Sequence, residues 1–176
     1  MDKLSSGVIT LAIVGKPNVG KSTFFNKILN KDLSPVSEIP GTTKDLFIDN
    51  ISYKNRIFKL IDSGGLKRKG KSKSDDQQYI TKESLKAIYL ADVVLFMIEA
   101  DKEFTKTDKQ SCRLVLDKGK GLIFVINKID LVDELKKIKN EYIYYIKNLF
   151  SDALLSDPFS ICSLKLEFPK KIFDEV

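Results

Sequence analysis

Apolar and polar positions in this chain fall into short blocks that switch between two periods. Val8 to Val14 (broken only by Thr10), Val93 to Ile98 and Leu122 to Ile126 are apolar runs of strand length, the last rich in Ile, Val and Phe. Such runs read as strands buried on both faces of a sheet. Helical spacing appears in Ser22 to Leu29, in Thr105 to Lys118, and in Asp133 to Phe150, where Leu135, Ile138, Tyr142, Ile146 and Phe150 share a side. A further helix is capped by Thr81, carries Leu85, Ile88 and Tyr89 inward and ends near Asp92. Leu46 to Ile51 and Arg56 to Asp62, joined by the polar turn Tyr53-Lys54-Asn55, predict an antiparallel hairpin at one sheet edge. Phe159 to Ile161 predicts a short last strand, and Phe168 to Val176 a last helix opened by Pro169. Strand and helix alternate, so the pattern predicts an α/β fold with a mostly parallel sheet covered on both faces.

Two stretches carry neither period. Asn30 to Asp45 contains Pro35, Pro40 and Gly41, and Ser63 to Gln78 is dense in Gly, Lys, Ser and Asp. The length of the first is what functional or mobile loops usually show. The second holds the basic run Lys67-Arg68-Lys69-Gly70-Lys71-Ser72-Lys73, which reads either as an anion-binding patch or as a solvated loop.

Composition narrows the classes. A length of 176 residues suits one domain, with no internal repeat or linker, and is long enough to bury roughly 70% of the unfolded chain's surface. The net charge of +6 favours nucleic acid or anionic surfaces, although lysines that merely solvate helix faces give the same sum. Histidine is absent, which excludes a histidine-activated nucleophile and a histidine-ligated zinc. Cys112 and Cys162 are too few for a disulfide framework and read as thiols of a cytoplasmic protein. The apolar runs are too short to span a bilayer, and the N-terminal one is laid out as a strand rather than a signal peptide.

The chemistry concentrates after the first strand. Gly15-Lys16-Pro17-Asn18-Val19-Gly20-Lys21-Ser22, followed by Thr23, fits G-x-x-x-x-G-K-[ST] between a strand and a helix. A turn of this kind aims successive backbone N–H groups inward, and the helix behind it adds its positive end. Lys21 would reach the β- and γ-phosphates of a nucleoside triphosphate, and the Ser22 hydroxyl would hold Mg²⁺. Asp62-Ser63-Gly64-Gly65 ends the strand Phe58 to Ile61, where an acid can hold the Mg²⁺ shell and a glycine N–H can face the γ-phosphate. Asn127-Lys128-Ile129-Asp130 ends the strand Leu122 to Ile126. A carboxylate there accepts from N1–H and the N2 amine of guanine, donors that adenine lacks. Asn127 suits guanine N7 and loop bracing, and the Lys128 stem can lie along the base.

In this order these motifs, with Gly41-Thr42-Thr43, resemble the Ras-like translational GTPases, including the Era and TrmE groups. More narrowly, Gly15 to Ser22, Pro40-Gly41-Thr42-Thr43-Lys44-Asp45 and Gly65-Leu66-Lys67-Arg68-Lys69-Gly70 look like the EngA (Der) family of ribosome-assembly GTPases, and most like its second G domain. Ala91-Asp92-Val93-Val94-Leu95 and the sequence around Gln110 extend the match. The resemblance implies a three-layer P-loop NTPase fold with a six-stranded sheet and one antiparallel edge strand. Residues 1–176 would then be a single, monomeric G domain excised from a longer protein, with GTP, GDP and Mg²⁺ as ligands. It also implies that the partner is the large ribosomal subunit or its rRNA, with no membrane partner. Thr43, beside Thr42, would complete Mg²⁺ coordination, and Asp62 and Gly65 would report the γ-phosphate. Cys162-Ser163-Leu164 falls where the family has Ser-Ala-Leu, and the Ser163 amide would face guanine O6. Asp-Ser-Gly-Gly stands for the family's Asp-Thr-Ala-Gly, and Ile129 for a common tryptophan.

Leu66 occupies the position where Ras-like enzymes carry a water-orienting glutamine. Relatives with an apolar residue there and asparagine at the Asn18 position use K⁺ in place of an arginine finger. The resemblance therefore implies that Asn18, with carbonyls of Ser37 to Gly41, binds K⁺ across the phosphates. A binding-module reading, in which GTP chiefly permits docking on RNA, stays open because of the basic run.

Overall fold

The computed structural model describes residues 7–29, 46–64, 81–150, 156–166 and 168–176. Among the described residues six strands form one sheet: β1 (Ile9–Gly15), β2 (Phe47–Tyr53), β3 (Arg56–Asp62), β4 (Val93–Glu99), β5 (Gly121–Asn127) and β6 (Phe159–Ser160). Their order across the sheet is β2-β3-β1-β4-β5-β6. β2 alone among these described strands runs antiparallel to its neighbour, and it forms the edge expected of the hairpin. The helices are α1 (Lys21–Leu29), α2 (Lys82–Leu90), α3 (Lys106–Asp117), α4 (Leu135–Phe150) and α5 (Lys170–Asp174).

Period two decides which side chain serves which layer. Along β4, Val94, Phe96 and Ile98 pack on one face with Ala87 and Ile88 of α2, Cys112 and Val115 of α3, and Ile146 and Phe150 of α4. Val93, Leu95 and Met97 point the other way, into a core with Phe24, Phe25 and Ile28 of α1 and Ile172 and Phe173 of α5. Both faces of the sheet are dry, which is why its central strands read as unbroken apolar runs. Three layers result, as the fold class required.

Local signals place the element ends. Thr81 caps α2, its side chain accepting from the Ser84 amide at 3.1 Å. Thr105 and Asp108 form a reciprocal capping box at the start of α3. The hairpin differs from expectation: β2 continues to Tyr53, and the turn is the pair Lys54-Asn55. Both residues adopt left-handed φ angles, 46° and 61°, the signature of a two-residue type I′ turn that matches the strand twist. α5 is also shorter than the Phe168–Val176 pattern suggested.

Register sets the position of the chemistry. Ile13 lies beside Asp62, Gly15 beside Met97, and Glu99 beside Asn127, so all the motif-bearing strand ends share the carboxyl edge of the sheet. The chain places β3 on one side of β1 and β4 on the other, which makes that edge a topological switch point, the usual crevice for ligands in open α/β sheets.

Candidate functional site: a phosphate cradle and a base cleft at the carboxyl edge

The cradle is built between β1 and α1. A Cβ at Gly15 would meet the Met97 carbonyl at 2.5 Å, so the close packing of the loop against β4 requires glycine there. Gly20 has φ +104°, and a Cβ on it would stand 2.4 Å from Asn127 Nδ2, so strain and crowding both exclude a side chain. Lys21 folds back into the loop. Its Nζ donates to the carbonyls of Gly15 at 2.7 Å and Lys16 at 2.8 Å, with the residue 9% exposed. Burial lowers this ammonium to about 8, against the opposing pull of the Asp62 charge.

Beside it, Ser22 Oγ donates to Asp62 Oδ2 at 2.7 Å, and the Gly64 amide donates to Asp62 Oδ1 at 2.7 Å. One hydroxyl and one carboxylate therefore converge at the mouth of the cradle. Ser22 and Asp62 would suit Mg²⁺, a hard cation that prefers oxygen donors and is commonly held by one or two protein groups together with phosphate oxygens and water. Among the described residues no cluster of three or more acidic, cysteine or histidine groups offers a protein cage instead. Ser63 faces away from the cradle, its hydroxyl donating to the Ile13 carbonyl at 2.7 Å inside the sheet.

The second half of the site follows β5. Asn127 is 1% exposed, and its side chain ties three segments together. Nδ2 donates to the Val19 carbonyl of the phosphate loop at 2.7 Å, while Oδ1 accepts from the Ser163 amide and hydroxyl, each at 2.9 Å. Loop bracing is thus present in full, and the amide keeps a second hydrogen for a base nitrogen. The Ser163 amide, expected to face guanine O6, donates in this structure to Asn127 Oδ1, as does the Ser163 hydroxyl. Lys128 sits in a left-handed conformation, φ 60°, that turns its stem along the cleft, and its Nζ pairs with Glu99 Oε2 at 2.9 Å. Asp130 is exposed, and the Cys162 thiol, ahead of its own backbone amide, holds its carboxyl below the ordinary value.

These groups border a cleft of about 210 Å³ lined by Asn18, Thr23, Lys128, Asp130, Cys162 and Leu164. A larger hollow of about 450 Å³, lined by Phe104, Ile138, Tyr142 and Tyr145, carries none of the motif residues, and volume alone does not make it the site. The structure therefore brings together Gly15 to Thr23, Asp62 to Gly64, Asn127 to Asp130 and Cys162 to Leu164. Pro17 and Asn18 are exposed on the rim, and Asn18 has φ 65°. Thr42, Thr43, Gly65, Leu66, the Ser37 to Gly41 segment and the basic run Lys67 to Lys73 lie outside the described residues.

Sequence reasoning missed two residues, Glu99 and Asp108. Asp108 pairs with Lys16 of the phosphate loop at 2.6 Å. The Thr105-x-x-Asp108 spacing signals its helix cap; nothing local signals its long-range partner.

A glycine-bent cradle joined through a buried asparagine to a base cleft, at the switch point of a doubly wound sheet, defines the nucleotide-binding class of P-loop proteins. The profile of the family described as 50S ribosome-binding GTPase matches residues 10–128, and the chain belongs to that family. It is 41% identical over 128 residues to GTPase Der of Pseudothermotoga lettingae, covering 72% of this chain and 29% of that one. It is 34% identical over 141 residues to GTPase Der of Desulfitobacterium hafniense, covering 80% and 32%. The chain thus spans about a third of the length of these curated relatives. Among solved structures, Aquifex aeolicus Era bound to GDP and AlF4⁻ superposes with a TM-score of 0.68 at 30% identity, covering 95% of this chain and 55% of that one. Era in complex with MgGDPNP and a segment of 16S ribosomal RNA gives 0.69 at 28% identity, with the same coverage.

Proposed function

We propose that the chain is a single G domain that binds GTP with Mg²⁺, hydrolyses it to GDP and phosphate, and acts as a nucleotide-dependent switch in assembly of the large ribosomal subunit. The observation that carries this reading is the Asn127 bridge. One buried side chain holds the Val19 carbonyl and the Ser163 loop, so that the Lys21 cradle and the Asp130 carboxylate serve one ligand. In that ligand, Asp130 accepts from guanine N1–H and N2, and Lys128 lies along the base. The loop amides from Asn18 to Thr23 and the Lys21 ammonium take the phosphates.

Bound Mg²⁺, held by Ser22, Asp62 and Thr43, would neutralise charge developing on the phosphate oxygens. In hydrolysis a water adds to the γ-phosphorus as the bond to the β-phosphate oxygen breaks, and Lys21 offers charge to the leaving oxygen. Gly65, at the end of the Asp62 motif, reports the loss of the γ-phosphate, and Leu66 supplies no group to orient the water. Asn18 is assigned to a K⁺ that replaces an arginine finger, a device worth about 10³–10⁵ in rate. Turnover measured in K⁺ should therefore far exceed turnover in Na⁺, and equal rates would remove this role from Asn18. The family description and the Era complex with ribosomal RNA support a ribosomal partner. A cytoplasmic, monomeric domain belongs to the same proposal; no helix among the described residues is long and apolar enough to cross a membrane.

Titrating GDP and ADP against the purified chain in Mg²⁺ tests the reading. A site built on the hydrogen bonds to Asp130 should prefer GDP by about 10⁴–10⁵. Equal uptake of the two, or uptake of neither, overturns it.

A further inference from the structure

Asp108 lies outside every nucleotide-binding motif, yet it is as deeply buried as Asp62 and, like it, bonds to the phosphate loop. Its residue is 1% exposed at the start of α3. Oδ2 accepts from the Thr105 amide at 2.8 Å, from the Thr105 hydroxyl at 2.7 Å and from Lys16 Nζ at 2.6 Å. Oδ1 is buried and has no hydrogen-bond partner among the described residues. A charged group so enclosed costs several kcal/mol, roughly, unless a cation faces it. Lys16 is that cation, its side chain only 32% exposed. The reach of the charge shows in its neighbours: burial first, then Asp108, pushes the Cys112 thiol well up. Burial first, then Asp108, likewise raises Tyr142 to about 12.

The consequence runs through the Lys16 backbone. The Lys16 side chain is drawn to α3, and its carbonyl accepts from Lys21 Nζ at 2.8 Å, next to the Gly15 carbonyl at 2.7 Å. Helix cap, carboxylate, Lys16 and Lys21 form one connected series of charge-assisted contacts, the stronger kind of hydrogen bond. We propose that Asp108 is a positioning residue for the phosphate loop, fixing through Lys16 the carbonyls that hold Lys21 and thereby setting affinity for the β-phosphate of the nucleotide. The inference rests on the guanine-nucleotide reading above and adds to it a control point on α3.

Asp108→Asn separates charge from capping, because asparagine still offers an oxygen to the Thr105 amide. Affinities for GDP and GMP, with thermal melts on the same samples, read the effect. The Asn variant should reduce the preference for GDP over GMP by about tenfold or more, the scale of one charge-assisted contact, with GMP affinity little changed. Asp108→Glu, which keeps both the charge and the S/T-x-x-E box, should retain the preference. If the Asn variant does not fold, Lys16→Met at the partly exposed end of the pair reports the same ratio. The double variant should lose no more than the worse single one, since both break one link. Unchanged GDP preference in the folded variants, or equal loss for GDP and GMP, overturns the proposal while leaving the nucleotide reading intact. Failure of the unmodified chain to bind GDP overturns both.

Discussion

Lys21 shows how the fold holds a single ammonium inside a loop whose amides suit an anion. Two carbonyls hold its ammonium in a site that is 9% exposed, and burial lowers it to about 8 despite Asp62 nearby. The unfolded chain, near 10.5, binds the extra proton across the window from 8 to 10.5, so the free domain gains stability as pH rises through it. Below 8 the full burden of the buried charge remains, roughly 3 kcal/mol. A polyphosphate at the loop would reverse the balance and restore the proton. GDP binding at pH 8 should therefore take up about half a proton, and binding at pH 6 almost none. Calorimetric heats in buffers of different ionisation enthalpy measure this directly. Lys21→Arg, which stays charged throughout, should abolish the uptake; uptake that persists in this variant would place the proton elsewhere.

Among the elements, α5 depends most on its neighbours. Five residues cannot sustain a helix in water, so packing must hold it. Phe173, 1% exposed, meets Phe58 of β3 edge-on at 5.1 Å and stacks on Phe168 at 4.9 Å, with Tyr53 of β2 at 5.9 Å. The accompanying Lys54–Asp174 pair is exposed and adds little. Phe173→Ala should destabilise the domain by about 3–5 kcal/mol, measured as a shift of the urea midpoint at constant slope. GDP affinity should hold, because α5 does not border the cleft. The same corner shows where sequence reading loses resolution. Strands β1, β4 and β5 are legible to within a residue or two because both of their faces are dry. The hairpin turn is not, because its geometry lies in the φ angles of Lys54 and Asn55, and lysine does not advertise a left-handed conformation. Pro169 marks the start of α5 correctly, but the Phe168–Val176 pattern counts residues that pack on the helix as residues within it.

At the scale of the molecule, the motifs were legible because each is short and contiguous, while the contacts that align them were not. Lys16 reaches Asp108 across 92 residues and Asn127 reaches Val19 across 108, and no spacing in a single sequence announces such partners. The site therefore exists only when the sheet has closed, with the cradle on β1, the acid on β3 and the base cleft on β5 brought to one edge. A ligand that bridges all three binds the folded chain and not the unfolded one. At a hundredfold excess over its dissociation constant it stabilises by about 2.7 kcal/mol, which for a domain of this size corresponds to roughly 5–11 °C in melting temperature. GDP with Mg²⁺ should produce that shift and ADP with Mg²⁺ should not. Asp130→Ala should erase it while leaving the melting temperature of the free domain almost unchanged, since that carboxylate is exposed. Asp62→Ala should instead leave a smaller GDP shift that no longer responds to chelation of Mg²⁺. If ADP matched GDP, or if Asp130→Ala kept the full shift, the base would be read by some group other than the one at the end of β5.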